Sequence, residues 1–220
     1  MSLLLHINTA LENAIIGISK GDNIIAQREN AHQKEHSSFL QPAIREMMTE
    51  TGLQMHDIDA VTVINGPGSY TGLRVGLSAA KGICFALNKP LITISTLEWM
   101  AFPFRDSGYA YICPLIDARR MEVFTAMYDR SMKCLSSSHA MILDNNSFRE
   151  WVEKDLVLFT GNAIDKLPET LTSHENAVIN RNEPSLLDQV ILGTLATEKK
   201  GYADLAYSEP FYVKAFYSGI

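Results

Sequence analysis

The sequence predicts an α/β chain of two lobes on one plan, the second lobe reduced. Three observations carry this. Short apolar runs with the length of buried strands alternate with segments of helical period. A glycine-rich turn joins one such strand to a long helix in the first half. The second half then repeats the first: the strand Tyr111 to Asp117 ends in a carboxylate where Leu3 to Asn8 ends in its amide analogue. A hairpin follows each, and Leu156 to Phe159 runs into Thr160-Gly161-Asn162, an echo of Val63-Ile64-Asn65-Gly66.

In chain order, Leu3 to Asn8 reads as a short buried strand, and Ala14 to Lys20 with Asn23 to Glu29 as a hairpin across Gly21-Asp22. From His36 to Thr51 the period becomes helical, through Phe39, Leu40, Ala43, Ile44, Met47 and Met48, with Gly52 as C-cap. Ser38 with Gln41 can form a capping box, and Pro42 requires the helix to begin near Ser38 or to kink. Ala60 to Ile64 is a β-branched strand, Leu73 to Leu87 a proline-free helix, and Leu91 to Ile94 a strand. In the second half Glu122 to Tyr128 and Lys133 to Ile142 make the hairpin across Asp129-Arg130-Ser131-Met132. Pro184 opens a last amphipathic helix to about Lys199, and the apolar tail from Leu205 to Phe216 can fold back onto the first lobe. The expected lobes are residues 1–106 and 107–220, divided where Arg105-Asp106-Ser107-Gly108 breaks the pattern. Residues 161–183 carry no readable period.

The turn Asn65 to Gly76 supports two readings. Gly66, Gly68 and Gly72, with Ser69 or Thr71 as helix cap, place free N–H groups where an anion could sit. Alternatively the glycines let a tight turn form and the helix approach the sheet closely. The spacing matches neither a Walker loop nor the dinucleotide fingerprint.

The phrase Gly66-Pro67-Gly68-Ser69-Tyr70-Thr71-Gly72-Leu73-Arg74-Val75-Gly76 resembles the signature of the TsaB (YeaZ) family, relatives of the larger TsaD protein. So do His36-Ser37 with Leu40 and Pro42, Asp117-Ala118-Arg119 with Glu122-Val123, and Glu209-Pro210-Phe211-Tyr212-Val213, in the family's order. The resemblance implies two ribonuclease-H-like lobes of the actin, Hsp70 and sugar-kinase (ASKHA) superfamily. It also implies a part in placing threonylcarbamoyl on the adenosine beside the tRNA anticodon. The implied role is a non-catalytic scaffold and activator of a TsaD-like transferase, joined by a TsaE-like ATPase. ATP and metal are expected on those partners, none tightly bound here, and a homodimer is possible when the partner is absent.

Composition agrees with a globular chain: 46% of the 220 residues are hydrophobic and 20% charged. A net charge of −6, with no Lys/Arg run longer than two, leaves little basic surface for RNA, so tRNA contact is expected to be indirect. Cys84, Cys113 and Cys134 lie far apart without a C-x-x-C pair, which favours free thiols in a reducing compartment. The start lacks the pattern of a signal peptide and no apolar run reaches the ~20 residues of a membrane span. The expected location is cytoplasmic.

Two rival chemistries are open. His32 and His36 are four apart, as zinc-binding histidines on one helical turn would be, but His-Gln-Lys-Glu-His misplaces the general base of a metallopeptidase. In TsaD the metal-binding histidines follow the strand after the glycine helix, where this chain has Ser95-Thr96-Leu97-Glu98. No metal is expected, and both histidines read as surface or capping residues. The second rival is a small ATPase or phosphotransferase using Asp117 and the Gly66 to Gly72 turn. Against it, Asn8 stands where ATP-binding relatives carry an acid, and an amide cannot neutralise a divalent cation. Asn8, Gly66, Gly68, Ser69, Gly72 and Asp117 therefore read as a vestigial anion site, with Asp117 in a structural ion pair.

The Gly72 to Leu87 helix carries the partner expectation. At about 100° per residue, Leu73, Leu77, Ile83, Cys84 and Leu87 share a sheet-facing arc. Val75, Ala79, Gly82 and Ala86 form a small-residue arc, and Arg74, Ser78, Lys81 and Phe85 a thin strip between. Small residues admit a close second helix. The expected docking surface is Arg74, Val75, Ser78, Ala79, Gly82 and Phe85, with Ile44, Met47 and Met48 from the helix at 38–51.

Overall fold

The computed structural model describes residues 1–214. Strands β1 (Leu3–Asn8), β2 (Ala14–Lys20) and β3 (Asn23–Asn30) form an antiparallel meander. Helix α1 (His36–Thr51) leads to β4 (Ala60–Ile64), and α2 (Tyr70–Leu87) to β5 (Leu91–Ile94), both strands parallel. The sheet order is β3-β2-β1-β4-β5. Side chains of a strand alternate between faces, so Leu3, Leu5 and Ile7 of β1 join Ile16, Ile18, Val61 and Val63 in a core closed by α1 and α2.

Helix α1 begins at His36, two residues before the expected start, and is preceded by a 3₁₀ turn at Gln33–Glu35. Pro42 sits inside it. The expected capping box is not formed; the Ser38 hydroxyl donates back to the Glu35 carbonyl at 2.9 Å. Gly52 ends the helix in the left-handed conformation, φ 69°.

The second half opens with the short helix α3 (Thr96–Ala101). Strands β6 (Tyr111–Asp117), β7 (Glu122–Asp129) and β8 (Cys134–Ile142) are again an antiparallel meander. After α4 (Arg149–Val152) comes β9 (Val157–Gly161), parallel to β6, and after α5 (Glu169–Thr172) comes β10 (Ala177–Asn180), parallel to β9. The order β10-β9-β6-β7-β8 is that of the first sheet read from the other edge. Each unit is ribonuclease-H-like, as expected. The reduction falls on the helices, not on the sheet: the unreadable residues 161–183 supply the fifth strand and a helix of only four residues.

The chain divides elsewhere than expected. One unit comprises Met1–Thr96 and Ser185–Phe211, the other Leu97–Pro184 and the residues from Tyr212. The boundary at 106/107 is thus corrected to 96/97, and helix α6 (Leu186–Glu198) with the segment to Phe211 belongs to the first unit. The cause is packing. Helix α6 covers the face of the first sheet opposite α1 and α2: Gly17 lies against Leu186, and Gly193 against Thr62, His6 and Leu4. A side chain at either glycine would collide with those groups. The tail also returns to this unit, with Ala203 donating to the Leu91 carbonyl at 2.8 Å and Phe211 to that of Asn65 at 2.7 Å. Of the expected tail segment, residues 215 and 216 lie outside the described residues.

Candidate functional site

The glycine turn is closed by its own chain. Ser69 caps α2, its hydroxyl accepting from the Gly72 N–H at 3.3 Å, while its own N–H donates to the Ala10 carbonyl at 2.7 Å. A Cβ on Gly68 would stand 2.2 Å from that carbonyl, and one on Gly72 2.0 Å from the carbonyl of Thr9. Thr9 donates its hydroxyl to the Gly72 carbonyl at 2.7 Å. At Gly66, φ is 124° and a Cβ would meet the Phe211 carbonyl at 2.3 Å. The glycines therefore admit three backbone carbonyls to close range. Close approach of these carbonyls accounts for the glycines, and the Ser69 and Gly72 N–H groups are already engaged within the chain.

Asn8 is buried, and its amide oxygen accepts the N–H of Ala10 at 3.1 Å. Asp117, in the other unit, does the same for the N–H of Arg119 at 2.6 Å. Its carboxylate also forms an ion pair with Lys166. Slight burial pushes the carboxyl up, but the Lys166 hydrogen bond, the Arg119 N–H and the neighbouring positive charge outweigh it and hold it below the usual range. Asp117 is thus held in an ion pair with Lys166, a partner the sequence did not point to.

His36 is corrected outright. It is 2% exposed, its Nε2 meets the Glu12 carbonyl at 3.0 Å, and burial pushes its pKa down against the Glu12 and Thr9 carbonyls. His32 is exposed and precedes the 3₁₀ turn. A core histidine and a surface histidine do not make the open pair a metallopeptidase needs, and no cluster of three or more His, Cys, Asp or Glu suited to a metal occurs among the described residues.

The two faces of α2 separate sharply. Gly72, Leu73, Gly76, Leu77, Ala80 and Cys84 are buried, whereas Ile83 and Leu87 are only half-buried. Arg74, Ser78, Gly82, Phe85 and Ala86 are exposed; Phe85 is 82% exposed, and nothing lies within 4 Å of where a Gly82 Cβ would stand. The Arg74 guanidinium lies over the Tyr70 ring, 4.0 Å from its centre. Val75 and Ala79 are half-buried against the core and form only the margin of this surface. Lys81 is engaged, donating to the Ala206 and Ser208 carbonyls at 3.1 and 2.9 Å and clamping the returning tail. On α1, Met47 has no accessible surface and is corrected from docking residue to core. Ile44 and Met48 are likewise buried, although they reach the floor of an open groove of about 540 Å³ bordered by Gln41, Arg45, Leu53 and Met55. The apolar arc of α1 is consumed by the chain's own core.

Sequence reasoning missed Thr9, Ala10 and the tail from Ala203 to Phe211 as parts of this region. At Gly76, too, a Cβ would stand 2.4 Å from the Thr9 hydroxyl, a contact with no local sign in the sequence. The apolar tail was expected to return to the first lobe, but nothing local pointed to the glycine turn, because its partners there lie more than a hundred residues away.

Residues 23–208 match the family model of TsaD, tRNA N6-adenosine threonylcarbamoyltransferase. The chain is similar to the tRNA threonylcarbamoyladenosine biosynthesis protein TsaB of Bacillus subtilis strain 168, 32% identical over 164 residues, covering 72% of this chain and 70% of that one. It is 34% identical over 128 residues to the TsaB protein of Escherichia coli K12, covering 58% and 55% respectively. The chain thus spans little more than half of that second relative's length. Among solved structures, YeaZ from Pseudomonas aeruginosa superposes with a TM-score of 0.78 at 21% identity, covering 96% of this chain and all of that one. At that identity the likeness concerns the fold.

Proposed function

The chain belongs to the TsaB family, and from that premise we propose that it serves as a non-catalytic subunit that scaffolds and activates a TsaD-like threonylcarbamoyltransferase acting on tRNA. The observation that carries the reading is the outer face of α2. It is a helix of 18 residues with one side sunk in the core and the other presenting Ser78, Gly82 and Phe85 to solvent. A small residue beside an exposed aromatic ring suits a close helix–helix dock.

The closed glycine turn, the amide at Asn8 and the Lys166 partner of Asp117 support a subunit without chemistry of its own. ATP and metal then reside on the transferase and on a TsaE-like ATPase, and tRNA is held mainly by other subunits. When the transferase is absent, the same face of α2 is available to a second copy of this chain. The site of action is the cytoplasm, where tRNA is modified; no described helix is long and apolar enough to cross a membrane.

The test is Gly82→Arg. Arginine raises helix propensity by about 1 kcal/mol, and the open space at Gly82 leaves folding intact. Wedged into a close dock, it is expected to cost ~1–3 kcal/mol, or roughly 5- to 150-fold in affinity. The variant should be soluble, fail to co-purify with the transferase, and leave tRNA unmodified in cells. Normal binding would place the dock elsewhere. Titration of the isolated chain with ATP–Mg²⁺ tests the catalytic side: tight, magnesium-dependent binding would favour the phosphotransferase reading.

A further inference from the structure

The β6–β7 connection is a three-residue loop, Arg119-Arg120-Met121, that opens on two adjacent arginines. Ala118 N–H donates to the Glu122 carbonyl and Glu122 N–H to that of Arg119, each at 3.1 Å. Arg119 has φ 72° and Arg120 φ 49°. Left-handed backbone favours glycine or asparagine, because side chains with a Cβ resist it. Two successive arginines are held here against that preference, with the Asp117 carboxylate accepting the Arg119 N–H and fixing the bend.

Charge pairing at the turn is selective. Both flanking acids are matched by lysines: Asp117 by Lys166 and Glu122 by Lys214. Lys166 also donates to the Glu122 carbonyl at 3.2 Å. Neither arginine side chain has a hydrogen bond or ion pair among the described residues, although Arg119 acts on Asp117 through space. Both are exposed. Among the described residues the tip thus carries two exposed guanidinium groups with no bonded acid, in a chain of net charge −6. The two acids that flank the loop, Asp117 and Glu122, are each paired with a lysine among the described residues.

We propose that Arg119 and Arg120 contact the phosphate backbone of the RNA that the assembly modifies. The inference rests on the reading that the chain works in a tRNA-modifying complex, and goes beyond it by giving this subunit a direct RNA contact. Guanidinium is the side-chain group best matched to phosphate, through paired N–H donors. A convex turn with two adjacent arginines suits a ridge of phosphates, and such contacts carry a salt signature that a packing role does not.

The experiment uses the full chain assembled with its transferase and ATPase partners, and measures tRNA affinity across a range of salt concentrations. Each phosphate contact contributes about 0.7–0.9 to the slope of log K against log salt. Arg119→Gln/Arg120→Gln is expected to flatten the slope by about 1.5, and Arg119→Lys/Arg120→Lys to restore it. Unchanged melting temperatures for both variants confirm that the turn still forms. An unaltered slope in the glutamine variant overturns the proposal. Loss of co-purification with the transferase in the absence of RNA also overturns it, because the arginines would then face an acidic protein surface. If the wild-type chain itself fails to join the assembly, the parent reading fails first and this inference with it.

Discussion

The two units share a sheet and differ in nearly everything laid upon it. Each has three antiparallel strands followed by two parallel ones, in matching order. In each, the first strand ends in a residue whose side-chain oxygen accepts the backbone N–H two positions on: Asn8 to Ala10, Asp117 to Arg119. In each, the fourth strand leads into a glycine of positive φ, 124° at Gly66 and 114° at Gly161. Both glycines lie against a backbone carbonyl, that of Phe211 or of Leu115. The helices diverge: α1 and α2 have 16 and 18 residues, α4 and α5 four each. Sheet pairing and its turns are constrained by backbone geometry on both sides, whereas a helix on one face can shrink if other apolar groups cover that face. In the second unit Phe148, Ile164, Leu167 and Leu171 provide such cover from short segments.

The equivalence breaks most visibly if its two glycines differ. Gly66→Ala and Gly161→Ala each add backbone strain at positive φ and a Cβ against a carbonyl. Each should lose roughly 2–6 kcal/mol by urea unfolding. A tolerated alanine at one site alone would mean the two turns are not counterparts.

Exchanging the two strand-end residues sharpens the contrast. Asn8→Asp would place a carboxylate in a site that is 1% exposed with no cation bonded to it, at a cost of about 2–4 kcal/mol. Its pKa would be raised, so the loss should grow as pH rises from the ordinary carboxylate range to that raised value, and level off above it. Asp117→Asn keeps the bend and removes only a partly exposed ion pair, so its loss should stay under about 1 kcal/mol. Comparable losses in chemical denaturation would refute the asymmetry.

A third difference lies in the buried polar groups. In the first unit His6 joins Thr62 through Nδ1 and Ser19 through Nε2, each at 2.8 Å, and Gln189 of α6 reaches Thr62 at 3.0 Å. The corresponding interior of the second unit holds Cys113 and Thr125, 3.3 Å apart. Burial pushes His6 down to about 3. The unfolded chain, with a histidine near 6.5, binds a proton that the folded one refuses. Stability is therefore full above about pH 6.5 and falls as pH drops below it, by up to about 1.4 kcal/mol per pH unit. His36, also pushed down, adds in the same sense. His6→Gln should lower stability at pH 7 but flatten its dependence between pH 6.5 and 5, above the range where carboxylates titrate. An unchanged slope would show that His6 is not the group responsible.

Local period and turn chemistry carried most of the fold into the sequence. The strand β4, the helix α2 with its Ser69 cap, the Gly52 stop and both hairpins are set by neighbours within a few residues, so they could be read. The duplication was legible for the same reason, as was the exposed side of α2 around Ser78, Gly82 and Phe85. Residues 161–183 resisted because β10 is a four-residue edge strand preceded only by short helical segments, too brief to show a period. Only tertiary structure decided what each apolar face meets. Helix α6 covers the first sheet rather than its own half, Met47 and His36 are core, and the glycine turn is filled by Thr9, Ala10 and Phe211. Periodicity states that a face will be buried; the covering partner comes from residues distant in the chain, whose approach depends on side-chain volume and backbone path, not on any local pattern.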